Sequence, residues 1–66
     1  MEMVSMSVKH LLNKQIKIVA NDGSSIVVRY GILTSFDEHF LTLRERNGKE
    51  ILIGLSQVHK IEEVFS

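Results

Sequence analysis

The 66-residue sequence contains no cysteine, so disulfide bridges cannot stabilise the fold. A chain of this length forms a single domain, here residues 1–66, and buries only about 60% of the surface that its unfolded form exposes. The sequence shows no close grouping of metal-ligating side chains, so no structural metal is expected. Because oligomerisation is the remaining common remedy for so small a core, we expect a homo-oligomer.

The sequence also lacks net charge, because its eight Lys and Arg residues are balanced by eight Asp and Glu residues. Proteins that bind nucleic acid through general electrostatics usually carry a basic excess, so any such binding must be local. No apolar run has the length of a membrane span, and residues 1–6 lack the charged start and long apolar middle of a secretory signal. We therefore expect a soluble cytoplasmic protein without a membrane partner.

Signatures of catalysis and of cofactor binding are missing as well. The serines have no companion pattern that places a histidine as base. The three histidines, at positions 10, 39 and 59, do not have metal-ligand spacing, and the four isolated glycines do not form a phosphate-binding loop. The sequence predicts neither an enzyme nor a protein that depends on a cofactor or a metal.

Short-range patterns predict a helix near the start of the chain. Residues 1–6 show no period and are expected to be a frayed tail. Ser7 is expected to cap a short helix over residues 7–13, which Asn13 ends because asparagine tolerates the left-handed conformation. The helix places three apolar side chains on one face, those of Val8, Leu11 and Leu12.

From residue 14 onward the apolar period changes to two, which is typical of β-strands. The first strand has three apolar residues on one side, Ile16, Ile18 and Ala20. The second, from Ile26 to Thr34, is apolar on both faces and is expected to be buried on both. The remaining predicted strands run from Phe40 to Glu45, from Glu50 to Gly54 and from Val58 to Val64. Three aromatic side chains are expected to fill the core, those of Tyr30, Phe36 and Phe40.

Particular residues predict how these strands connect. Residues 21–25 form a turn, and Asn47-Gly48 predicts a two-residue hairpin loop. Gly31 predicts a bend within the second strand, because a residue without Cβ lets neighbouring backbone come close. Asp37, whose side chain can bond its own backbone, forms the next turn. Strands bent in this way are expected to curl into a mainly β, five-stranded, antiparallel SH3-like small barrel over residues 14–64.

The element order and two segments resemble the Sm-like proteins, which include bacterial Hfq and archaeal Sm-like proteins. The segment with Gly31, Leu33, Phe36, Asp37 and His39 is similar to the first Sm motif, and the segment with Ile53, Val58 and Ile61 is similar to the short second motif. The resemblance covers roughly Val8 to Val64. It implies an Sm-like barrel, joined through its fourth and fifth strands into a ring of about five to eight copies, and binding of single-stranded RNA.

The resemblance also supplies candidate RNA-binding residues. It implies that Asp37 sets the loop geometry, that His39 stacks on a base and that Lys60 attracts phosphate. Lys9, His10 and Lys14, on or beside the helix, form a candidate second contact surface, as in Hfq-like rings that use more than one face. Without RNA, Asp37 is a turn former and His39 an exposed loop histidine. Lys60, together with His59, then protects an edge strand against stray pairing.

Three positions depart from the family pattern. Leu41 stands where the first motif usually has an asparagine that binds uracil, and Gly54 and Leu55 stand where the second motif usually has arginine and glycine. These replacements favour a second hypothesis, in which the chain is a protein-assembly module that keeps the barrel and has lost the uridine pocket.

Overall fold

The computed structural model describes residues 8–65, which form a short helical segment and a five-stranded antiparallel sheet. Residues 8–10 are helical, and a 3₁₀ turn connects the last two strands. The predicted tail and the capping residue Ser7 lie outside the described residues. The strands are β1 (Gln15–Asp22), β2 (Ser25–Phe36), β3 (Phe40–Arg44), β4 (Glu50–Gly54) and β5 (Val58–Glu63), and the 3₁₀ turn is Leu55–Gln57.

The strands lie in the order β4-β3-β2-β1-β5. Each neighbouring pair is antiparallel. β4 and β5 lie at opposite ends, and within residues 8–65 no ladder joins them, so the sheet does not close on itself. The prediction of a mainly β chain with five antiparallel strands is confirmed, and the Sm-like barrel stays a prediction.

Alternating burial along β1 builds the core. Ile16 and Ile18 are fully buried and Ala20 is nearly so, while the residues between them are partly exposed. Burial of one such branched side chain stabilises the fold by about 1.5–3 kcal/mol. The predicted inward face of the first strand is confirmed. The other buried apolar residues of the core are Val8, Leu33, Leu41, Leu43 and Ile53.

The helical segment is tied to the sheet at its end. Asn13 has a φ of +68°, so the predicted left-handed stop is confirmed. Its N–H donates to the Leu33 carbonyl at 2.7 Å, and the Leu33 N–H donates to the Lys14 carbonyl at 3.1 Å. Val8 is buried and Leu11 packs on the core, but Leu12 is exposed. The prediction that Leu12 shares the buried face is therefore wrong, because the chain leaves the helical conformation before residue 12.

β2 differs most from its prediction. It extends to Phe36, and only the face that carries Gly31 and Leu33 is buried. The prediction of burial on both faces is wrong, because the described residues contain no layer that covers the second face. The large apolar side chains left exposed on that face are those of Ile26, Val28, Tyr30 and Ile32.

The loop between β3 and β4 is longer than predicted. The Glu45 N–H donates to the Lys49 carbonyl, and the Gly48 N–H donates to the Glu45 carbonyl, both at 2.8 Å. A two-residue Asn-Gly turn needs positive φ at both residues. Gly48 has a φ of +88°, but Asn47 does not have positive φ. The loop therefore has three residues, 46–48, with Gly48 in the left-handed conformation.

Gly31 permits a close approach between β2 and β3. A Cβ atom at this position would lie 2.6 Å from the Arg44 carbonyl oxygen and 2.9 Å from Leu43 Cγ. Backbone atoms cannot move away without shifting the strand, so glycine is required here. The irregular step in the ladder itself lies between Leu33 and Ser35.

Replacement of Gly31 by alanine should therefore destabilise the protein. We expect Gly31→Ala to lower the free energy of unfolding by about 1–3 kcal/mol, the usual cost of an added methyl group in a packed interior. Chemical denaturation measures this loss. Gly54→Ala is the matched control, because its Cβ would meet nothing closer than Gln57 Oε1 at 3.5 Å. Equal losses for both variants would contradict the account.

Candidate functional site

The loop between β2 and β3 is organised by Asp37. Its Oδ1 atom accepts hydrogen bonds from the N–H groups of His39 and Phe40, both at 2.8 Å. Its own N–H donates to the Phe40 carbonyl at 2.9 Å. The aspartate therefore bonds its own backbone, as the sequence predicts for this turn.

A second contact holds His39 from the other side. The N–H of Leu55 donates to the His39 carbonyl at 2.8 Å, and Gly54 lies opposite Phe40 in the ladder between β3 and β4. The two segments that resemble the Sm motifs thus meet at one end of the sheet. Between them lies an open groove of about 360 Å³, the loop groove, lined by Glu38, His39, Phe40, Gly54, Leu55 and Ser56.

The His39 side chain is exposed, and its backbone N–H is held by the hydrogen bond to Asp37. No hydrogen bond to its imidazole occurs within residues 8–65, so the ring is open to stacking. The surroundings are acidic, because Asp37 and Glu38 adjoin the ring. Within the described part of the chain, no Lys or Arg lines this groove.

The hydrogen bonds to Asp37 also change its acidity. The N–H groups of His39 and then Phe40 stabilise the carboxylate and lower the pKa of Asp37 below its ordinary value. The ionised side chain is therefore the form that holds the loop.

Lys60, the third candidate RNA-binding residue, lies apart from Asp37 and His39. It is on β5 opposite Val19, and its Nζ atom is 3.2 Å from Glu62 Oε2. In a single chain, Lys60 does not line the loop groove.

In the candidate second contact surface, one of the three basic side chains is near a carboxylate. Lys9 and His10 are exposed on the helical segment. Lys14 lies just before β1, and its Nζ atom is 3.8 Å from Glu63 Oε2. Glu63 therefore offsets part of the charge that Lys14 would present to a phosphate.

Sequence reasoning missed the exposed face of β2. Tyr30 and Phe40, which were expected to fill the core, are 53% and 48% exposed, whereas Phe36 packs on the core as predicted. The missing signal was available in the sequence. A strand with two apolar faces, in a chain too small to cover both, leaves one of them at the surface.

Comparisons of the chain with protein-family models, with curated proteins and with solved structures find no match. Within residues 8–65 no helix has the length and apolar character needed to cross a membrane. The same residues contain no group of three or more His, Cys, Asp or Glu side chains suited to a metal ion. Any function must therefore be inferred from the sheet, the loop groove and the exposed face of β2.

The lowered pKa of Asp37 predicts a pH-dependent contribution to stability. The carboxylate stabilises the fold above the unfolded-state pKa of about 4, and this contribution is lost as the pH falls through the lower folded-state pKa. We expect the difference in denaturation midpoint between wild type and Asp37→Asn to be constant from about pH 5 to 7 and to shrink below about pH 4. A difference of the same size and pH dependence for Glu38→Gln would contradict the assignment to the Asp37 hydrogen bonds.

Proposed function

We propose that this protein is an Sm-like, ring-forming protein whose loop grooves bind single-stranded RNA. The observation that carries the proposal is the strand order, which leaves β4 and β5 as edges at opposite ends of the sheet. Antiparallel pairing of β4 with β5 of the next copy gives hydrogen-bond partners to the free backbone groups of both edges. When each copy uses two different surfaces to contact its neighbours, the copies form a closed ring if a whole number of them completes one full rotation.

The apolar character of β4 supports this pairing. Exposed edge strands usually carry charged residues or proline that discourage pairing with other chains. β4 has the sequence EILIG, and its Leu52 side chain is 67% exposed. β5 is more polar, with His59, Lys60, Glu62 and Glu63, so the support comes from β4. An edge as apolar as β4 is expected to have a partner.

The loop groove supports RNA binding when it is considered in such a ring. His39 offers an exposed ring on a backbone that is bonded on both sides, and base stacking is tolerant of sequence. The groove of one copy lacks a cation, but β4 leads directly into it through Gly54. A neighbour's β5 paired with β4 brings Lys60 within a few residues of that groove. Several identical weak sites around a ring then bind one strand with useful avidity.

The edge proposal predicts that a charge on β4 disrupts assembly. We expect wild type to have a mass of about five to eight chains by light scattering, and Leu52→Lys to shift the mass toward the 7.5 kDa monomer. The reason is that a lysine on an open edge opposes pairing. The matched control is Ile26→Lys, because Ile26 is 65% exposed on another strand. A monomeric wild type, or an equal shift for both variants, would contradict the proposal.

The groove proposal predicts a specific role for His39. We expect His39→Ala to weaken binding of a labelled U-rich or A-rich oligonucleotide by about 1–3 kcal/mol, the usual value of one stacked base, without a change in mass. His59→Ala is the control, since the His59 imidazole already bonds Asn21 at 2.9 Å. Fluorescence anisotropy at low salt measures both affinities. Unchanged affinity for His39→Ala would remove the stacking role.

A second candidate function is favoured by the charges at the groove. Asp37 and Glu38 adjoin His39, no cation from residues 8–65 lines the groove, and the chain has no net charge. These features suit a protein-assembly module that uses the same edges and does not bind RNA. An intact ring that leaves oligonucleotides unshifted at low salt, together with a protein partner retained after nuclease treatment, would favour this function.

A further inference from the structure

The outer face of β2 carries a continuous apolar strip. Its four residues alternate along the strand and therefore lie on one face. Ile26 is 65% exposed, and the other three are 41–53% exposed. Single exposed apolar residues are common on proteins, but a contiguous row of them marks an interaction site. The members of the strip are Ile26, Val28, Tyr30 and Ile32.

No layer within residues 8–65 covers the strip, and the short β3 leaves a groove beside it. β2 has 12 residues, but β3 pairs only with the part from Ile32 to Phe36. The loop after β3 instead approaches the middle of β2, where Arg29 Nη1 lies 3.5 Å from Glu45 Oε2. Two adjoining grooves of about 570 and 390 Å³ result and meet at Tyr30. We call them together the outer groove, with Val28, Tyr30 and Ile32 as its floor and Arg44, Glu45 and Arg46 as its wall.

Basic side chains border the strip on both sides. On one side, Lys17 lies opposite Tyr30 and shares Glu62 with Lys60, at 3.9 and 3.2 Å. On the other side, Arg46 has no carboxylate within ion-pair distance in residues 8–65. Four cations therefore lie beside the strip with two carboxylates, and a third carboxylate, Glu45, is paired with Arg29 from the opposite face of β2. The four cations are Lys17, Arg44, Arg46 and Lys60, and the two carboxylates are Glu50 and Glu62.

We propose that the outer groove binds an amphipathic helix of a partner protein, with an apolar stripe flanked on both sides by acidic residues. A helix places carboxylates beside its apolar stripe, whereas an extended strand places alternate residues on opposite faces. The apolar stripe packs on Val28, Tyr30 and Ile32, and the carboxylates meet the two basic borders. Four strip residues at alternate positions span about 20 Å, which equals about 13 helical residues.

Two other occupants fit the same surface less well. A second copy packed face to face would bring the basic borders of both copies together, and like charges oppose such contacts. Single-stranded RNA would find cations, but three of the four strip residues are aliphatic, and base stacking uses aromatic faces. Charge and surface chemistry together favour the acidic helix.

The test uses a labelled 14-residue helical peptide with leucine along one stripe and glutamate on both flanks. A matched peptide carries lysine in place of glutamate. Anisotropy titrations of the full chain should show that the glutamate peptide binds at least about tenfold more tightly. Tyr30→Thr and Arg46→Glu should each weaken its binding by about tenfold, as expected at a central aromatic or arginine contact. Both side chains are exposed, so circular dichroism should remain that of wild type.

Lys49→Glu is the matched control, because it makes the same charge change in the same hairpin at a residue that does not line the outer groove. It should change affinity by less than about twofold, and Leu52→Lys should bind like wild type, since the groove does not depend on the ring. The proposal is overturned by absence of binding at millimolar glutamate peptide or by equal binding of the lysine peptide. It is also overturned by equal loss with Lys49→Glu, or by a U-rich RNA whose binding depends on Tyr30 and Arg46.

Discussion

Unpaired backbone at the two ends of the sheet is the constraint on which the account depends. β1, β2 and β3 each have strand neighbours on both sides, whereas β4 and β5 have one each. The N–H and C=O groups on such edges need partners from water or from another chain. Because residues 8–65 contain no segment that covers either edge, the two edges can complete each other only between copies. In the proposed ring, that same pairing brings Lys60 of the next copy close to the loop groove.

The exposed face of β2 has a different cause. Within residues 8–65 no second layer packs on this face, so a face that is apolar in sequence stays at the surface. The edges and this face need different partners, since an edge needs hydrogen bonds and the face needs apolar contact with charges around it. We therefore propose two separate contact surfaces on one small chain, one for its own copies and one for another protein.

The parts of the fold that depend on neighbouring residues could be predicted from the sequence. Alternation in β1, the left-handed Asn13 and the Asp37 turn follow from local chemistry. The small size of the chain predicts that β2 leaves one face exposed, but an apolar pattern does not say which face another layer covers. The prediction of a two-residue loop at Asn47-Gly48 was wrong. This dipeptide suits two types of turn, and strand pairing selects between them. At the candidate site, the Asp37 turn and the exposure of His39 could be predicted from the sequence, but the contact of His39 with Leu55 depends on strand order.

Amide hydrogen exchange along β4 tests the central claim most directly. The relevant amides are those of Glu50–Gly54 that point away from β3, because no other strand within residues 8–65 pairs with β4. If copies pair through β4 and β5, these amides exchange slowly, and they become fast in Leu52→Lys. If they exchange at the rate of an unstructured peptide while the amides of β1 and β2 stay protected, the edges are free and the claim is wrong.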